Sequence, residues 1–339
     1  MKAYGLMLKI YLTVILCGLM SCSKDSVVIE EPDELPDIPV TIDEIEVSEP
    51  GSIEIVLQKK GLTSTVKLKV SGKLNTEDLN TLSRMGAKES LKYLDLSDTY
   101  MYDENGNETD RFLGVRLVET LVISKHVSVI DGLGGNLADK YAEVKNVVIP
   151  DNVTEIASNC FRINKSIESL VLPEKLLCIG ESAFEGCKNL KRLELPESLK
   201  YIGKRAFVKS GIEFISLEKN INHIERGLFN ECLDLKELYI NMITVPVLFE
   251  DYNYNVETVV LGKDVDSIRE DALLYLNKLK SVYSYSEDVP KLIGYTPISE
   301  PFLSLRSNNV LLYVPKGCFV KYWDDQKFSS SFAALQEMK

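Results

Sequence analysis

His126 and His223 are the only imidazoles in this 339-residue chain, so acid–base or metal chemistry would have to begin with them. They lie about four sequence repeats apart, and no H-E-x-x-H is present. His223 takes a slot that holds Tyr201 one repeat earlier, which reads as a structural position. No Ser–His or Cys–His arrangement can be drawn. Beyond Cys17 and Cys22 the cysteines are Cys160, Cys178, Cys187, Cys232 and Cys318, with no C-x-x-C pair, so zinc and dithiol readings fail. Cys187 and Cys232 sit two repeats apart, near 10 Å at about 4.8 Å per strand, beyond disulfide reach. They read as small buried hydrophobes. Asp131-Gly132-Leu133-Gly134-Gly135-Asn136 is Gly-rich but lacks the following Lys-Ser/Thr of a phosphate loop, so it reads as a turn between repeats. Asp103, Asn105, Asn107 and Asp110 place oxygens through an acidic loop that could cradle calcium. Its glycine stands fourth in the loop rather than sixth, and an exposed Asn-Gly turn is the competing reading. The chain is therefore read as no enzyme, with no catalytic residue and no cofactor.

What remains is the chemistry of contact. Tyr93, Arg192, Phe214, Tyr239, Tyr283 and Tyr313 are candidate ligand-binding residues, with Tyr252 and Tyr254 on an insert spanning 249–254. Rings of this kind offer large contact area at low entropy cost, as protein or sugar surfaces require. Strands favour Tyr and Val in any case, and the insert serves equally well as a loop without a ligand. Both readings stand at this point.

Those side chains need elements to position them, and a period supplies the elements. Ile149-Pro150, Leu172-Pro173 and Leu195-Pro196 recur every 23 residues. Ile156, Ile179, Ile202 and Ile224 keep the same beat, as do Phe161, Phe184, Phe207 and Phe229. A fixed period of this length means one supersecondary unit stacked on copies of itself. Paired apolar residues two apart mark eleven short strands: Leu68/Val70, Leu94/Leu96, Leu121/Ile123, Val147/Ile149, Leu170/Leu172, Leu193/Leu195, Ile215/Leu217, Leu238/Ile240, Val259/Leu261, Val282/Ser284 and Leu312/Val314. Ser284 is the imperfect match. Alternate residues of a strand share a face, so each pair points inward and its neighbours point out. Ala183-Phe184 and Ala206-Phe207 are read as single helical turns, with the rings stacked into a spine between the strand layer and the return layer. Ile53, Ile55 and Leu57 alternate as a strand would.

The N-terminus reads as an address. Lys2 and Lys9 precede an apolar run from Ile10 to Met20, too short to span a bilayer, and Leu19-Met20-Ser21-Cys22 follows. This resembles a bacterial lipobox, which implies lipidation of Cys22 and anchoring to a membrane by lipid. Residues 1–21 are then a signal peptide, 22–44 an acidic Pro-rich tether, and 45–339 a repeat domain with an N-terminal cap region and a C-terminal closing repeat. A formal charge of −12 repels a phosphate backbone and argues against nucleic acid as a partner.

The blocks 149–161, 172–190 and 195–207 resemble the BspA-like leucine-rich repeat family of bacterial surface proteins. Leu312-Tyr313-Val314-Pro315-Lys316-Gly317, followed by Tyr322-Trp323, is similar to that family's closing repeat, and 91–97 to its N-terminal repeats. The resemblance implies a leucine-rich repeat solenoid, a right-handed coil around one parallel sheet. It implies a secreted or lipidated protein on the outer membrane or cell surface of a Gram-negative, Bacteroidetes-like bacterium. The expected activity is adhesion or binding, through the concave sheet face, of a protein or glycan from a host or neighbouring cell. A structural envelope component and a carbohydrate-capture subunit for nutrient uptake are the alternatives.

Overall fold

The computed structural model describes residues 41–88, 90–115, 117–133, 144–250, 255–294, 305 and 308–339. The chain coils in parallel passes. One layer carries the inward pairs. Its strands run in the order Asp43–Val47, Lys67–Leu74, Tyr93–Tyr102, Thr120–Val122 and Asn146–Val148, then Phe214–Leu217, Glu237–Ile240, Thr258–Leu261, Ser281–Ser284, Leu311–Val314 and Ala334–Glu337. Every pairing along this path is parallel. Opposite it, short return strands stack in their own parallel ladders, Arg111–Phe112 through His223–Ile224 and Thr244–Val245 through Lys291–Ile293. Such a coil, whose every turn contacts mainly its neighbours, is a solenoid.

The strand layer has eleven members among the described residues, but not the expected eleven. Asp43–Val47, with Ile45 and Val47 buried, precedes the first expected strand, and Ala334–Glu337 follows the last. The segments around Leu170/Leu172 and Leu193/Leu195 form no regular strands, although Leu170, Leu172 and Leu193 are buried and Leu195 partly so. Only Arg192 bridges to Phe214.

Residues 53–57 are a second correction. Ile53–Lys60 is a helix, with Ile53 and Leu57 buried four residues apart and Ile55 55% exposed. Gly61, at φ 69°, ends it in the left-handed conformation open to glycine. Its start is held from the next helix, Thr76–Ala87. Buried Asp78 accepts the N–H of Ile53 at 3.0 Å, of Gly51 at 2.7 Å and of Asn75 at 3.0 Å. One carboxylate thus serves orphan donors at two helix starts.

The core is continuous through the coil. Phe161, Phe184, Phe207 and Phe229 are fully buried and stack at 5.2, 5.5 and 5.7 Å between ring centres. Phe249, the first residue of the 249–254 insert, is buried and extends the spine at 6.0 Å. The turns carrying these rings are not helical. Residues two before and two after each Phe have positive φ: Asn159 and Ile163, Ser182 and Gly186, Arg205 and Lys209, Gly227 and Glu231. The alternation aims the N–H groups of one turn at the carbonyls of the next. Ser182, Phe184 and Gly186 donate to Lys204, Ala206 and Val208. Tight glycines let turns close on one another; a Cβ on Gly203 would meet Glu181 N at 2.6 Å.

A charge pattern runs along one edge of the strand layer. Lys92, Glu119, Lys145, Glu168, Lys191, Glu213, Lys236, Glu257 and Lys280 each stand two residues before the first member of the inward pair in nine consecutive passes. The sign alternates without a break. The main chain links these positions directly: Glu213 N donates to Lys191 O, Lys236 N to Glu213 O, Glu257 N to Lys236 O and Lys280 N to Glu257 O. Lys280 Nζ lies 2.6 Å from Glu257, and Lys191 Nζ lies 3.8 Å from Glu213 and 2.7 Å from Asp234.

Candidate functional site

The outward residues of the strand layer fall into two rows. The middle row, lying between the members of each inward pair, passes in register from Ser216 through Tyr239, Val260, Tyr283 and Tyr313 to Gln336. The second row passes from Arg192 through Phe214, Glu237, Thr258 and Ser281 to Leu311. Phe214 therefore pairs with Glu237 rather than Tyr239. It borders the tyrosines instead of standing in line with them.

The expected contact residues separate accordingly. Tyr239, Tyr283 and Tyr313 share one row, and Arg192 and Phe214 share the other. Tyr93 also belongs to the second row but lies six passes from Tyr239, roughly 29 Å at about 4.8 Å per strand. It joins a different part of the face. Tyr252, Tyr254 and Cys22 lie outside the described residues, as do Gly134, Gly135 and Asn136. Among the described residues no helix is long and apolar enough to cross a membrane.

The tyrosines are half-buried, and two of them hold each other. Tyr283 and Tyr313 stack with ring centres 4.5 Å apart and planes 9° from parallel. Burial, with Tyr313 beside it, pushes the Tyr283 hydroxyl above its ordinary pKa. Tyr239 is pushed up to about 12, chiefly by burial and then by the nearby charges of Glu218 and Asp264. Those two acids are tied together by Asn241. Its Nδ2 donates to Glu218 at 3.2 Å and Asp264 at 3.1 Å, and Asp264 N–H donates to its Oδ1 at 3.0 Å. This network escaped the sequence reading. Its trace was Gly262, where a Cβ would meet Asn241 Oδ1 at 2.1 Å. Toward the other end, the middle row is apolar at Val122, Val148 and Val171, and Val171 is 85% exposed.

The remaining chemical candidates have structural partners. His126 stacks on Tyr100 at 4.0 Å, and His223 Nε2 lies 2.9 Å from Glu225. Asp103 Oδ1 accepts the N–H groups of Asn105 and Asn107, and Asn107 donates from its side chain to Oδ2, closing the acidic loop on itself. Asp110 faces Ser128 instead. Among the described residues no group of three or more His, Cys, Asp or Glu side chains gathers to hold a metal. Cys187 Sγ donates to Phe161 O at 3.1 Å and Cys232 Sγ to Phe207 O at 2.8 Å; both are buried free thiols. Burial raises the Cys232 thiol to about 11, which keeps it protonated and unreactive at neutral pH.

Residues 139–250 match the family described as BspA type Leucine rich repeat region, in six copies. With the parallel register above, this makes the fold a leucine-rich repeat solenoid. Among solved structures the chain is similar to the pneumococcal vaccine antigen PcpA, at 19% identity over 80% of this chain and 68% of that one, TM-score 0.39. A leucine-rich repeat protein from Bacteroides ovatus ATCC 8483 matches at 16% identity over 66% and 84%, TM-score 0.25. A leucine rich cell surface protein from Faecalibacterium prausnitzii A2-165 matches at 16% over 66% and 80%, TM-score 0.29. Among curated proteins none matches the chain.

Proposed function

We propose that this solenoid is a lipid-anchored, cell-surface binding or adhesion protein. Its outward strand face recognises a protein or glycan of a host or neighbouring cell. The observation that carries the reading is the row Tyr239–Val260–Tyr283–Tyr313 on a parallel ladder, with half-buried tyrosines on either side of a buried Val260. Aromatics held in this way bind at reduced ordering cost, because the strands fix their backbone and Tyr283 and Tyr313 already stack. The lipobox-like Leu19-Met20-Ser21-Cys22 supplies the anchor in this reading, with Cys22 carrying the lipid and the acidic segment after it holding the body off the membrane.

Screening the soluble body against protein and glycan arrays, with Tyr239→Ala and Tyr283→Ala alongside, tests the recognition surface. A retained ligand lost on both substitutions supports it; a ligand unaffected by either contradicts it. Metabolic labelling with a radioactive fatty acid tests the anchor, with label expected on the wild type and absent from Cys22→Ser. Protease shaving of intact cells tests the outward placement, since a protected body contradicts it.

A further inference from the structure

Most acids bordering the aromatic row are spoken for. Glu213 faces Lys191 at 3.8 Å, Glu257 faces Lys280 at 2.6 Å and Asp264 faces Lys219 at 3.0 Å. Glu218 accepts from Ser216 Oγ at 2.7 Å and from Asn241. Glu237 differs. It sits between Phe214 and Thr258 in register, two residues from Tyr239 on the same face, and its charge reaches the Tyr283 hydroxyl. It is half-buried, and among the described residues its carboxylate has neither an ion pair nor a hydrogen-bond partner. Burial raises its pKa with no cation acting against the shift. A partly desolvated anion bordered by Phe214 and Tyr239 is costly alone and becomes favourable once a cation covers it.

On the reading that this face binds a partner, we propose that Glu237, bordered by Phe214 across the strand and Tyr239 along it, receives an arginine side chain presented by a partner protein. A guanidinium suits the place better than an ammonium. It is planar, stacks on aromatic faces, sheds water more readily and can engage a carboxylate through two N–H groups. A glycan would satisfy the carboxylate through hydroxyl donors but would leave its charge unmatched.

A panel of extended Gly/Ser/Thr peptides, each made with a central arginine and again with its neutral isostere citrulline, tests this by fluorescence polarisation. The wild type is expected to prefer arginine at least tenfold, equivalent to about 1.4 kcal/mol. Glu237→Gln is expected to reduce that preference to under twofold while leaving Tm unchanged or higher. No arginine peptide bound by the wild type, equal binding of both forms, or an undiminished preference in Glu237→Gln would each overturn the proposal. The wider reading of the face fails separately, if an array-identified partner binds Tyr239→Ala and Tyr283→Ala as tightly as the wild type.

Discussion

Ser284 Oγ and the Tyr322 hydroxyl lie 2.8 Å apart in the interior, joining the last regular passes of the coil to the segment that closes it. Ser284 occupies an inward slot filled elsewhere by Leu, Ile or Val. The Tyr322 hydroxyl also lies 2.9 Å from Ser286 O and 3.1 Å from Asp288 O. One buried hydroxyl thus donates toward two carbonyls while its oxygen can accept from Ser284 Oγ, and the polar residue that breaks the aliphatic pattern is its partner. Tyr322→Phe leaves those groups unsatisfied and is expected to cost about 1–3 kcal/mol in denaturant unfolding. Burial pushes Tyr322 up to about 12, as it does Tyr239. A raised folded-state value means the contribution is complete below an ordinary tyrosine pKa of about 10 and is lost as pH climbs through 12. Unfolding curves should show this alkaline loss, with a shallower slope in Tyr322→Phe.

The aromatic spine should be the most sensitive part of the core. Phe184 contacts rings on both sides, so Phe184→Ala opens a cavity that neighbouring turns cannot fill without unstacking. A loss of about 3–5 kcal/mol is expected. Phe184→Leu should cost less. Equal, small losses for both in chemical denaturation would mean the ring stack contributes little.

Backbone geometry makes opposite predictions at neighbouring positions. Gly203→Ala drives a methyl into the Glu181 backbone and should destabilise by about 1–3 kcal/mol. Lys209, exposed and at φ 58°, stands where a side chain is strained. Lys209→Gly should be neutral or gain up to about 1 kcal/mol, even though it removes the exposed pair with Glu231. Thermal melts of the two variants should move in opposite directions or leave Lys209→Gly in place.

The alternating edge charges predict a register effect. Each neighbour along the edge is opposite in sign, whereas a stack that skipped one turn would set like against like. Glu213→Lys places three lysines in succession at Lys191, 213 and Lys236. A loss of about 0.2–1 kcal/mol is expected at low salt, shrinking as ionic strength rises. Melting temperature measured against salt checks it: a salt-independent loss would assign the effect to packing instead.

Much of this molecule was legible in its spacing. The Ile156, Ile179, Ile202 and Phe161, Phe184, Phe207 series place the return ladder and the spine directly, because each buries the same slot turn after turn. The failures have physical causes. Ile53 and Leu57 fit a two-residue and a four-residue period alike, and only the exposure of Ile55 separates them. The turns around each Phe were misread as helical because Ser182 and Arg205 hold positive φ without being glycine. The Lys/Glu alternation was present at the same spacing as the leucines, but in positions that an apolar reading passes over. Glu237 was visible as an outward residue; its lack of a partner depends on where every other charge of the face goes.

The central claim is that the outward row of the C-terminal passes carries recognition. The most direct measurement compares array binding of the wild type, a Tyr239→Ala/Tyr283→Ala double variant, and a Tyr201→Ala control on the return layer, all with matched melting temperatures. The account predicts a ligand kept by the wild type and the control and lost by the double variant. Binding kept by the double variant but lost by the control would place recognition on the opposite layer and contradict the account.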